Sequence, residues 1–184
     1  MTLIALMNND CSNQVQYPTA VTIPLEYGPW FESLGFSEIS FGCGSLELFG
    51  PDELEDRQVG YSRSSDGQSF CDGAPGSWKP EWIAIGCDTA LGDPILVDTS
   101  GPGSPVMTAM HGEGSWDPHI IALSLNDFAV ALRALKEISV GREYPVALEQ
   151  NPLSPEERDR ALRLIGGDKH KDIDMDFWDA MLDG

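Results

Sequence analysis

The chain has 184 residues, 41% of them hydrophobic, which suits one domain with an appendage and a sizeable buried core and argues against a disordered polypeptide. Lys and Arg number 11 against 30 Asp and Glu, and the resulting formal charge of -19 repels phosphate backbones and anionic lipid, so nucleic-acid or membrane recognition through basic patches has no support. The same field draws in a basic protein partner and raises the encounter rate, and it serves plain solubility equally well.

In chain order, the apolar start Met1 to Met7 lacks a positive n-region and is cut short by Asn8-Asn9-Asp10, so it does not read as a signal peptide. No stretch approaches the roughly 18 apolar residues that a membrane helix needs. Cys11, Cys43, Cys71 and Cys87 lie far apart with no Cys-x-x-Cys pair, which fits reduced thiols and a cytoplasmic location. Asn8 to Tyr17 is polar enough for loop. Ile23-Pro24-Leu25-Glu26-Tyr27 opens a helix that Gly28-Pro29 should interrupt, because proline disfavours helical geometry in the residue before it. The helix is therefore expected to be short or displaced to Trp30–Leu34.

Glycines 42 and 44 supply the open backbone angles of a turn, and Leu46 and Leu48 alternating with Glu47 predict a strand after it. Pro51-Asp52-Glu53-Leu54 places a proline and two carboxylates in the first turn of a short helix, where exposed N–H groups favour negative charge. Residues Ser62 to Pro80, rich in Ser, Gly, Asp and Pro, read as an irregular excursion between strands. Trp82-Ile83-Ala84-Ile85 and Ile95-Leu96-Val97 are short apolar runs bounded by Gly and Asp, expected as adjacent antiparallel strands. Thr99 to Pro105 is a turn, and Val106 to Met110 returns as a third strand. Ser124 with Asp127 reads as a capping-box variant, after which Leu125, Phe128, Leu132, Leu135 and Ile138 share one helical face as far as Gly141. Ser154-Pro155-Glu156-Glu157 starts a further helix that ends at Gly166-Gly167. In the tail, Phe177, Trp178, Met181 and Leu182 line one face of a short terminal helix able to dock on the body.

Glu81 to Asp88, Gly92-Asp93-Pro94-Ile95-Leu96-Val97-Asp98, Pro105-Val106-Met107 and Ser124-Leu125-Asn126-Asp127-Phe128 follow an order that resembles the SUKH superfamily, the Smi/Knr-like domains. That family's pattern is an apolar strand, Gly-Asp, an apolar strand ending in Asp, a Pro-Val strand and a Ser-x-x-x-Phe helix. The likeness covers roughly Pro24 to Ile138; the family's turn asparagine is missing at Phe41-Gly42-Cys43-Gly44. The resemblance implies an α+β fold, a twisted and mainly antiparallel sheet with helices packed on one side. It assigns residues 1–142 to that domain and 143–184 to a C-terminal helical extension packed on it, with Trp82, Gly92, Asp93, Asp98 and Phe128 as structural motif positions. The function it implies is that of a non-enzymatic bacterial immunity protein that binds and neutralises a polymorphic toxin, since many such toxins are nucleases with basic clefts. A cytoplasmic scaffold or regulator, as in the family's fungal branch, is the alternative.

Signals for catalysis are poor. His111-Gly112-Glu113 imitates the His-x-Glu of zinc deaminases, whose later Pro-Cys-x-x-Cys is missing because no cysteine follows Cys87. His111, Glu113, Asp117 and His119 are possible metal ligands without the spacing of a known site, and a small metal-dependent hydrolase would rest on them alone. Nothing resembles Gly-x-Ser-x-Gly, and Gly101-Pro102-Gly103-Ser104 lacks the ending of a phosphate loop. Asp93 and Asp98 flank turns, where aspartate commonly bonds the local backbone. No metal or cofactor is expected. The candidate partner-binding residues are the acidic run Asp52, Glu53, Glu55 and Asp56, and Trp78 in the irregular loop, because tryptophan is enriched at interface hot spots.

Overall fold

A computed structural model describes residues 24–169 and 171–183. The readings of Met1 to Met7, of the loop from Asn8 to Tyr17, of Cys11 and of Ile23 lie outside the described residues. Helix α1 (Tyr27–Leu34) contains Gly28-Pro29 in its own first turn, so the expected interruption does not occur. The N–H that Pro29 lacks belongs to the first-turn donors a helix leaves unbonded anyway.

Six strands then form one antiparallel meander: β1 (Glu38–Phe41), β2 (Gly44–Leu48), β3 (Trp82–Asp88), β4 (Pro94–Asp98), β5 (Val106–Thr108) and β6 (His119–Ala122), each paired with the next. β1 and β2 close over a Gly42-Cys43 turn, with Gly42 at φ 57°. The two apolar runs pair as β3 and β4. β5 stops at Thr108, short of the predicted Met110, because the chain turns away and the His111 N–H bonds Asp93 Oδ1 at 2.6 Å. β6 has no counterpart in the sequence reading and removes His119 from the glycine-rich loop.

Bulges between Ala84 and Gly86 and between Val106 and Met107 bend the sheet. Helix α2 (Leu125–Ser139) lies against both β1 and β6, the outermost strands, so the sheet curls and the helix closes its open side. The α2 start is capped as expected: Ser124 Oγ accepts from the Asp127 N–H at 3.1 Å and donates to Asp127 Oδ2 at 2.9 Å. Leu125, Phe128, Leu132 and Leu135 are buried beneath it. Successive strand residues face opposite sides, so the unbroken burial of Trp82 to Ile85 means that both faces of β3 are covered. On one side Tyr27 of α1 reaches the Phe49 carbonyl, at 2.6 Å, while Trp78 packs edge-on against Trp82, their ring centroids 5.7 Å apart. The long excursion between β2 and β3 is thus itself part of the core.

The extension adds α3 (Pro145–Gln150), which the sequence reading did not anticipate, α4 (Pro155–Gly166) and α5 (Met175–Met181). α4 begins with the predicted capping box, Ser154 and Glu157 each bonding the other's backbone N–H, and packs on α2. α5 docks through Trp178, fully buried, whose indole N–H reaches the Ile121 carbonyl of β6 at 2.9 Å. Among the described residues no helix is long and apolar enough to cross a membrane.

Candidate functional site

A buried amide ties the segment from Gly50 to Pro80 to the ladder of the sheet. Gln58 is fully buried; its Nε2 donates to the Ala84 carbonyl at 2.9 Å and its Oε1 accepts from the Ala84 N–H at 3.1 Å. The side chain so continues the ladder of β3 past the point where β2 has left it. This attachment overturns one expectation. Pro51–Glu55 forms turns leading into a 3-10 turn at Asp56–Gln58, not a short α-helix, because Gln58 is held to β3 and Val59 leaves extended to bridge Arg63.

Beyond Gln58, the excursion meets the loop between β5 and β6 through rings. Tyr61 stacks on Trp78 at 5.9 Å, and Trp116 stands edge-on to Trp78 at 5.2 Å and tilted to His111 at 5.9 Å. The Trp116 N–H bonds the Gly76 carbonyl at 2.7 Å, and Tyr61 Oη bonds the Gly92 carbonyl at 3.0 Å. Between these two loops runs a groove of about 680 Å³, with Trp78 and Trp116 among its lining. Phe70, 39% exposed, and Met110, 63% exposed, also line it. No Lys or Arg lines it; Asp72 does. Hydrogen bonds from the Ser77 hydroxyl and the Ala74 N–H hold the Asp72 carboxyl below the usual carboxylate range. Asp66, in the adjoining turn, is held low in the same way by Ser64 and the Gln68 N–H. Both therefore carry charge at neutral pH. Behind the 73–77 loop lies a second cavity of about 370 Å³, lined in part by Lys79, Trp82 and Trp116. Trp82 Nε1 is buried, closed off from solvent, and has no acceptor.

Trp78 is not a surface residue as expected: it is 1% exposed and its indole N–H donates to the Trp82 carbonyl at 2.9 Å. Its neighbours in the chain are polar, but Trp82, Tyr61 and Trp116 bury it from outside the local sequence. The acidic run does face solvent; Asp52, Glu53, Glu55 and Asp56 are all exposed. It is partly neutralised, since Arg63 pairs with Glu55 and Arg57 with nearby Glu47 at 2.6 Å. Gly60, four residues past Asp56, already lines the groove, so the acidic turn and the aromatic groove are contiguous along the chain.

His111, Glu113, Asp117 and His119 do not converge: among the described residues no three His, Cys, Asp or Glu side chains are grouped to hold a metal ion. His111 packs on rings and His119 pairs with Thr108 in the sheet. Cys43, Cys71 and Cys87 are free thiols, and burial pushes those of Cys71 and Cys87 above the ordinary value, so both stay protonated at neutral pH. Asp93 and Asp98 bond backbone, Asp93 at His111 and Asp98 at the Ser100 N–H, 2.8 Å away. Gly92 turns the chain into β4 at φ 78°, Trp82 opens β3, and Phe128 stacks on Trp30 at 6.2 Å.

Sequence reasoning missed Gln58, Tyr61, Phe70, Met110 and Trp116. A single tryptophan between glycines and Asp117-Pro118, facing a second loop with its own Trp78, is the signal that was there to find. No family model, no curated protein and no solved structure matches this chain.

Proposed function

We propose that this protein is a non-catalytic binding partner of the immunity type, of SUKH kind, which occludes a basic toxin domain with an anionic surface. The observation that carries the reading is how the charge is arranged. Arg57, Arg63, Arg142, Arg158 and Arg160 are ion-paired within the molecule. Arg133 and Lys136 rest on main-chain carbonyls, and Lys79 covers the Trp82 ring at 4.8 Å. These eight of the eleven Lys and Arg are thus spent on internal contacts while carboxylates from Asp52 to Asp56, at Asp66, Asp72, Glu113 and Asp117, remain at the surface. A field of that kind speeds encounter with a positively charged protein and disfavours polyanions. The strand, turn and helix order from Trp82 to Phe128 supports the family likeness as well.

The test is co-expression with a toxic polypeptide encoded beside its gene. Growth rescue, together with a stoichiometric complex of the purified proteins, is expected. Failure to form any complex with a basic toxin domain, or turnover of a small molecule by the isolated chain, would contradict the reading.

A further inference from the structure

Resting on that reading, we infer that the partner's anchor is an arginine-bearing loop and that it seats in the groove between residues 60–78 and 110–116, not on the acidic turn alone. The groove has three properties that select such an occupant. Its wall carries the half-buried Trp116, backed by the buried Trp78, and a planar guanidinium stacks on such a ring. Its lining contains an ionised carboxylate, Asp72, no Lys or Arg, and one imidazole, His111, so an entering cation meets attraction at Asp72. Phe70 and Met110 leave apolar surface standing in solvent beside that charge, which a flexible segment with an aliphatic stem covers.

The apolar surface beside the carboxylate favours a polypeptide over a free cation. The second cavity shares the Ala74–Trp78 stretch and Trp116 with the groove but is lined by Lys79, so the arginine is confined to the Asp72 side. A guanidinium for Asp72 and Trp116, and an aliphatic stem for Phe70 and Met110, are offered together by one extended segment. Lysine satisfies the carboxylate but lacks the planar face, and the neutral isostere citrulline keeps the planar face but loses the charge.

The probe is a blocked peptide of three Gly-Arg repeats, titrated into the full chain while the tryptophan indole N–H signals are followed by NMR. A saturable shift of the Trp116 signal is expected, with Trp30 and Trp178, packed elsewhere in the core, unmoved. The same peptide with citrulline should bind about tenfold more weakly or worse, and the lysine version several-fold more weakly. Asp72→Asn keeps the turn acceptors and removes the charge; it should weaken the arginine peptide about five- to tenfold with the indole spectrum of the free protein unchanged. Trp116→Ala should abolish saturable binding. Equal binding of the citrulline peptide, or shifts confined to residues 52–56, would overturn the groove assignment. If the groove fails in this way while a basic partner is still captured and still lost on reversing the acidic turn, only the location is wrong. If no basic partner is bound by the full chain at all, the proposed function falls with it.

Discussion

Gln58 shows how much of this architecture hangs on single side chains that pair with backbone. Gln58→Leu preserves the volume and leaves the Ala84 N–H and carbonyl unpaired in a buried setting, so the variant should lose about 3 kcal/mol in urea unfolding. A loss within about 0.5 kcal/mol would mean that Ala84 finds other partners. Gly86 makes a second, steric point. A methyl group there would lie 2.4 Å from the Glu47 carbonyl oxygen and 3.3 Å from Leu48 Cα, both on the neighbouring strand. Gly86→Ala should therefore cost about 2 kcal/mol or more, whereas Gly101→Ala, where nothing lies within 4 Å, should be close to neutral. Neither role is visible in the local sequence. Gln58 sits in a polar stretch and its partner lies 26 residues away, and the close approach at Gly86 exists only once β2 is in place.

Among the elements, the most legible were those whose signals are local. Ser124 and Ser154 cap their helices through residues three positions on, so sequence spacing and structure agree. The α4 cap gives a pH expectation. Glu157 is held below its ordinary value of 4.5 by the Ser154 N–H and then by the Arg142 guanidinium, so its contribution is complete above that value and is lost as pH falls through the lower folded value. Amide exchange in the first turn of α4 should accelerate over that acid range, and Glu157→Gln should remove the dependence. The terminal helix is tied down by Trp178. Trp178→Ala should destabilise the whole protein by about 4 kcal/mol in one cooperative transition, since α5 fills the core beside Phe128 and β6. Separate melting of α5 would show the extension to be an independent unit. β6 and α3 escaped the sequence reading because β6 offers only Ile120, Ile121 and Ala122 and is created by pairing with β5, and α3 buries no residue to give it a periodic face. Pro51–Leu54 has helix-start chemistry, yet the grip of Gln58 on β3 overrides it.

For the molecule as a whole, the α+β class could be read because a meander joins neighbours in sequence, so each short apolar run needs only the next one to form its ladder. The groove could not, because its two walls come from loops separated by β3, β4 and β5 and meet only after the sheet has formed. The net charge was plain from composition, whereas the commitment of the arginines to internal pairs required the folded chain. The most direct measurement is the association rate with the basic toxin domain as a function of ionic strength, for the wild-type chain and for Asp52→Lys/Glu53→Lys/Asp56→Lys, with Glu55 kept because it holds Arg63. The wild-type rate should fall steeply as salt rises, and the triple variant should associate about tenfold more slowly at low salt with a flatter dependence. A wild-type rate indifferent to salt, and unchanged in the variant, would contradict an anionic surface that works by steering a basic partner.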